Sequence, residues 1–106
     1  MTDYLAVLTT TDSAVAAAVL ARSAVSARLA ACAQVDGPVT STYWWQGAVE
    51  TAEEWRITFK TTAERYPALE AHVKAAHSYD TPELVATPIT AGSAEYLAWL
   101  SAAVAP

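Results

Sequence analysis

From Val39 to Thr61 the chain reads V-T-S-T-Y-W-W-Q-G-A-V-E-T-A-E-E-W-R-I-T-F-K-T, and no other stretch restricts the fold so tightly. Two β-prone runs flank Gln46-Gly47, where glycine supplies the positive φ of a tight turn. In the return run Trp55, Ile57 and Phe59 alternate with Glu54, Arg56, Thr58 and Lys60. That period of two predicts a half-buried antiparallel strand. Each arm exceeds the usual strand of about five or six residues. Trp44 and Trp45 stand near the tip, where a chain of 106 residues has little core to cover them. So apolar a tip reads as a surface for a partner. The hairpin is expected to be both the spine of the fold and its means of association.

The flanking segments supply the remaining elements. Residues 4–9 (Y-L-A-V-L-T) form an apolar run of strand length. Asp12 or Ser13 is a credible N-cap for an Ala-rich helix from Ala14 to about Ala31, with Arg22 and Arg28 in the half that suits positive charge. Cys32 to Val35 opens a second strand, interrupted by Gly37-Pro38, a pair that argues for a bulge or bend. After the hairpin, Thr61 and Glu64 have capping-box spacing. Tyr66, Leu69, Val73 and Ala76 recur at helical intervals, predicting a helix over Ala63–Ala76. His77–Pro82 reads as a loop, Leu84–Thr87 as a short strand closed by Pro88, Gly92-Ser93 as turn and N-cap, and Ala94 to about Val104 as a final helix. The order β-α-β-β-α-β plus one helix gives the expected class: α+β, a ferredoxin-like split βαβ sandwich with an antiparallel sheet, a long central hairpin and an extra C-terminal helix. One domain spans residues 1–106.

Charge and composition narrow the function. The formal net charge is −5 and no basic cluster is present, which argues against nucleic acid and anionic membrane as partners. The single Cys32 excludes an internal disulfide framework and fits a reducing compartment. No apolar run approaches the roughly 20 residues that span a bilayer. The opening M-T-D-Y lacks a basic leader region, so a cytoplasmic protein is expected. Nothing like G-x-S-x-G occurs, and three scattered glycines do not make a phosphate-cradling loop. These absences argue against an enzyme.

Several side chains are candidates for a site. Lys60 is either a solvated charge on the outer face of the strand or an anion contact at its end. His77, Tyr79 and Glu83 gather in one loop, and His with a carboxylate suits copper or zinc. The alternative is a loop His and Tyr bonded to backbone. His72 lies five residues before His77, off the i, i+4 spacing that pairs ligands on a helix. Cys32 reads as a small buried hydrophobe. Glu50, Glu53 and Glu54 read as a solvated rim that discourages edge aggregation. Tyr43, Trp44, Trp45, Trp55 and Trp99 read as core or interface.

Taken jointly, Tyr43-x-Trp45-x-Gly47, Glu54, Lys60-Thr61, Leu29-Ala-Ala-Cys32, His77-Ser-Tyr79-Asp-Thr-Pro82-Glu83 and the closing Gly92 with Tyr96-Leu97-x-Trp99 resemble the signature of the CutA divalent-cation-tolerance family over nearly the whole chain. The resemblance implies a homotrimer of PII-like architecture held by its long strands, a link to copper and divalent-metal tolerance, and no enzymatic activity. It also implies intersubunit clefts lined by Trp45, Lys60, Tyr79, His77 and Glu83. Trp45, Lys60 and Tyr79 would then contact a small ligand, and His77 and Glu83 a metal. Thr9-Thr10-Thr11 stands where many members carry a Cys, and Ser78 where a Pro is usual. Without that thiolate the remaining pair is harder, suiting Cu(II) or Zn(II). A PII-like small-molecule signalling module and a purely structural or anchoring trimer are the alternatives.

Overall fold

The computed structural model describes residues 3–106. Seven elements follow one another: β1 (Tyr4–Thr11), α1 (Ala14–Ser26), β2 (Cys32–Trp45), β3 (Ala48–Thr62), α2 (Tyr66–Ala76), β4 (Leu84–Ile89) and α3 (Ala94–Ala103). The strands make one sheet in the order β2-β3-β1-β4, antiparallel throughout. This is the ferredoxin-like arrangement that the element order predicts.

The alternation of β3 decides where the core lies. Ile57 and Phe59 are fully buried beside Val7 of β1, and α1 and α2 lay Ala17, Leu20, Ala24, Leu69 and Val73 over them. Trp55 packs at the border of this cluster. A second, smaller cluster joins Leu100 and Val104 of the α3 region to Ala31 and Tyr4. There the Tyr4 hydroxyl meets Ser101 Oγ at 2.8 Å.

The hairpin overshoots this core. β1 pairs with β3 only as far as Thr11 opposite Trp55, whereas β2 follows β3 to Trp45 opposite Ala48. Beyond the end of β1 the ribbon is two-stranded for seven residues of β3, Ala48 to Glu54, roughly 23 Å at the usual rise. The longest dimension is accordingly 44 Å and the radius of gyration 14.4 Å, above the roughly 13 Å of a compact chain this long. At the tip, Gln46 and Gly47 both have positive φ, 50° and 81°, as a type I′ turn requires.

Besides β1, which continues two residues past Thr9 by pairing with Arg56 and Trp55, element boundaries differ from the sequence expectation at three points, each for a tertiary reason. The first helix stops at Ser26, not near Ala31. Arg28 turns left-handed at φ 60°, and the Leu29 and Arg28 amides close back on Ala24 and Val25 carbonyls, a Schellman ending. Arg28 then sends Nη1 to the Ala103 carbonyl, and Arg65 Nε reaches Val104. Both cations therefore serve the C-terminus of α3, and Arg28 does so instead of that of α1. The capping box does not form. Thr61 remains in β3 because Thr62 still pairs with Tyr4, and its hydroxyl donates to Leu29 O. The second helix accordingly starts at Tyr66, not at Ala63, without a side-chain cap. Finally, β4 runs through Pro88 to Ile89, tolerated because β4 is an edge strand and the missing N–H costs no ladder bond on its outer side. The N-cap of α1 is Ser13, which accepts from the Ala16 amide at 3.0 Å.

The Gly37-Pro38 interruption is a bulge. The β2–β3 register skips from Asp36 opposite Arg56 to Val39 opposite Glu54, and the Gly37-Pro38 peptide is cis. Gly37 has φ 152°, and a Cβ there would lie 2.8 Å from Trp55 Cδ1 and 3.0 Å from Glu54 O. At Gly47 a Cβ would meet open space at φ 81°. Gly37→Ala is therefore expected to cost about 2–3 kcal/mol of unfolding free energy, and Gly47→Ala about 1 kcal/mol. Urea denaturation of both variants checks the order; equal losses would place the constraint in backbone conformation alone.

Candidate functional site

The loop after α2 is fastened to β1 by polar groups of both. His77 Nε2 lies 2.6 Å from the Thr10 carbonyl. The Tyr79 amide donates to His77 Nδ1 at 3.0 Å. A carbonyl only accepts and an amide N–H only donates, so Nε2 carries the proton and Nδ1 offers its lone pair. Thr9 Oγ1 donates to the Glu83 carbonyl at 2.7 Å, and Thr11 Oγ1 to that of Ser13 at 2.9 Å. The Thr9-Thr10-Thr11 run is buried; Thr9 and Thr10 hold the two ends of the loop, while Thr11 ties down the turn into α1.

The loop in turn places Tyr79 over the base of the overhanging ribbon. The Tyr79 ring tilts against that of His77, centroids 4.8 Å apart, and its hydroxyl donates to Glu54 Oε2 at 2.9 Å. Burial first, then the bond to Glu54 and the negative charge of Glu54 and Asp12, push the Tyr79 phenol well above its ordinary value. Between ribbon and loop lies a groove of about 910 Å³, walled by Tyr43, Trp45 and Tyr79 and bordered by Glu50, Glu54, Asp80 and Glu83.

These positions revise several readings. Glu54 is not a solvated rim residue: it is 8 % exposed, because the loop carrying Tyr79 folds over it. Glu50 and Glu53 do remain exposed. Glu54 sits on the polar parity of β3, a position whose burial depends on a segment 25 residues later. His77, Tyr79, Glu83 and Trp45 do come to one region. Lys60 does not share it within the subunit. It pairs in register with Ala6 and Cys32, six residues and roughly 20 Å along β3 from Glu54. There Lys60 Nζ donates to Gln34 Oε1 at 3.1 Å. Beside it Cys32 is half-buried, with Sγ 3.6 Å from the Tyr96 hydroxyl, a more polar setting than that of an inert apolar filler. His72 bonds Ser23 Oγ at 2.8 Å across α1 and α2.

The expected copper or zinc pair does not fit this geometry. Both ring nitrogens of His77 are spent on backbone partners, which leaves no lone pair for a metal. Among the described residues no three His, Cys, Asp or Glu side chains converge as a metal site would require. His77 is a loop fastener, and the backbone-bonded alternative for its role is the one that the structure supports.

Two consequences can be measured. The folded state holds the Tyr79 proton to higher pH than the unfolded chain, whose tyrosines ionise near 10. Its contribution to stability is therefore whole below about pH 10 and lost as pH rises beyond it. Phenolate absorbance should show the latest-ionising tyrosine disappear in Tyr79→Phe, while the smaller upward shifts of Tyr66 and Tyr96 remain. That variant, by leaving a buried carboxylate without its donor, should lose about 1–3 kcal/mol at neutral pH in denaturant unfolding. His77→Ala should lose about 1–3 kcal/mol as well and raise amide exchange across residues 77–83 without lowering Zn(II) affinity in calorimetry. A large drop in Zn(II) affinity would restore His77 as a ligand.

Comparison with known proteins places this arrangement in a family. Residues 5–103 match the model of the CutA1 divalent ion tolerance protein. The chain is 46% identical over 81 residues to the chloroplastic CutA 1 protein of Oryza sativa subsp. japonica, covering 76% of this chain and 46% of that longer protein. It is 45% identical over 94 residues to the divalent-cation tolerance protein CutA of Thermus thermophilus, covering 89% of this chain and 91% of the relative. The crystal structure of CutA from Xylella fastidiosa superposes with a TM-score of 0.94 at 33% identity, over 97% of this chain and 99% of that one. By family match, by identity along most of its length and by fold, the chain belongs to the CutA divalent-cation tolerance family.

Proposed function

We propose that the chain works as a homotrimer in the response to divalent metal ions, without a catalytic step, in the cytoplasm. One observation carries the association: the overhanging ribbon. An isolated two-stranded hairpin is marginal in water. This one presents Trp44 at 74% exposure and Trp45 at 47%, with Tyr43 and Val49 also exposed. A stable contact of biological size buries more than about 1,000 Å², and copies of the same ribbon packed around a threefold axis would supply it with apolar surface to spare. Both outer strands, β2 and β4, also keep one unpaired edge on which neighbouring strands can add.

In this reading Glu83 offers carboxylate oxygen to a divalent cation at the boundary between copies, with further donors from a neighbour. Oxygen donors of this kind suit hard cations better than Cu(I). Lys60, at the other end of the sheet, is the contact for an anionic group. A second reading, a small-molecule responder of PII-like design, is supported by the aromatic walls of the groove, since Trp45 and Tyr79 offer a metal ion nothing and an organic ligand a great deal.

Light scattering should give three times the 11.2 kDa subunit mass at micromolar concentration. Trp44→Glu combined with Trp45→Glu should shift that mass toward a single subunit and lower the thermal midpoint. A wild-type monomer at those concentrations would refute the trimer. A thermal-shift series with Mg(II), Mn(II), Zn(II) and Cu(II) tests the metal half, because an ion that binds only the folded state raises the midpoint.

A further inference from the structure

The groove between ribbon and loop has a one-sided chemistry. Its border carries the carboxylates of Glu50, Glu54, Asp80 and Glu83, and no lysine, arginine or histidine lines it among the described residues. Glu54 is more than nine-tenths buried yet accepts a single hydrogen bond, from Tyr79 to Oε2. Glu54 forms part of the groove wall, and its Oε1, which takes part in no hydrogen bond among the described residues, is not a buried orphan but keeps contact with solvent. The charged groups raising the Tyr79 phenol are anionic, so the field there is negative. A carboxylate oxygen open to the groove but not bonded to the protein is available to a positive donor entering it.

The other wall decides what kind of cation. Tyr43 and Trp45 stand on the ribbon and Tyr79 on the loop. Aromatic faces attract alkylammonium groups that have shed water, and Trp and Tyr do so best. They do little for a divalent ion that keeps its hydration shell. The volume of about 910 Å³ lies in the range of small-molecule sites. An anionic ligand meets only repulsion.

We infer that this groove binds an organic cation, an amine or quaternary ammonium on an apolar body, with the charged group taken by Glu54 Oε1 and the body laid against Tyr43, Trp45 and Tyr79. The inference deepens the small-molecule reading of the same groove and rests on it. It does not require the divalent cation proposed for Glu83, a residue on the border of the same groove.

Three probes of one shape separate the outcomes: phenethylamine, neutral phenethyl alcohol and anionic phenylacetate, titrated at millimolar concentrations into the intact protein by calorimetry and by tryptophan fluorescence. The amine is expected to saturate at one per subunit and to bind at least 10-fold more tightly than the alcohol, with no detectable binding of the acid. Glu54→Gln keeps an acceptor for Tyr79 and removes the charge, so it should weaken the amine at least 10-fold and leave the alcohol unchanged. Glu64→Gln, outside the groove, should change neither. Equal binding of amine and alcohol would overturn the cation assignment while leaving a small-molecule site in place. Binding of none of the three would overturn both. Unaltered amine affinity in a folded Glu54→Gln would remove Glu54 from the role. If that variant does not fold, the wild-type ranking of the three probes alone decides.

Discussion

The length of β3 is the constraint on which this molecule depends. Fifteen residues in extended conformation run nearly the full 44 Å of the molecule's longest dimension, far more than two short helices can cover. Half of the strand therefore lies under α1 and α2, where Ile57 and Phe59 are removed from water. The other half has only β2 for company. The first half gives the subunit its stability, since burial of such side chains contributes about 1.5–3 kcal/mol each. The second half creates what the subunit leaves unfinished: exposed tryptophans, open strand edges and a groove with one wall on the ribbon.

That division explains the placement of the polar groups. Near the core end, arginines at positions 28 and 65 cap α3 through its last carbonyls. Near the ribbon end, His77, the Thr9 hydroxyl and the Thr10 carbonyl spend their hydrogen-bonding capacity on fixing one loop. The loop is fixed so that Tyr79 can reach Glu54. The family relation to divalent cations thus coexists, in this chain, with a histidine that is structural.

Sequence legibility varied with the range of the interaction. Alternation along β3, the positive-φ turn at Gln46-Gly47 and the Ser13 cap are local, and each was readable because neighbouring residues decide it. The capping box at Thr61 and Glu64 failed because pairing of Thr62 with Tyr4, a partner nearly sixty residues away, kept the strand going. Glu54 looked like a rim residue because nothing beside it in the chain announces the loop that covers it. His77 was legible as a candidate by type, but whether its nitrogens were free could not follow from spacing.

By itself the sequence determined the order of elements, the face of β3 that enters the core and the surplus of aromatic residues at the tip, because backbone periodicity and turn chemistry are properties of short segments. Only the tertiary structure decided that His77 is occupied by backbone, that Lys60 lies at the far end of the sheet from Tyr79, and that Glu54 is a buried carboxylate facing aromatic rings. Those outcomes follow from which distant segments meet, and strand register with loop closure sets that meeting.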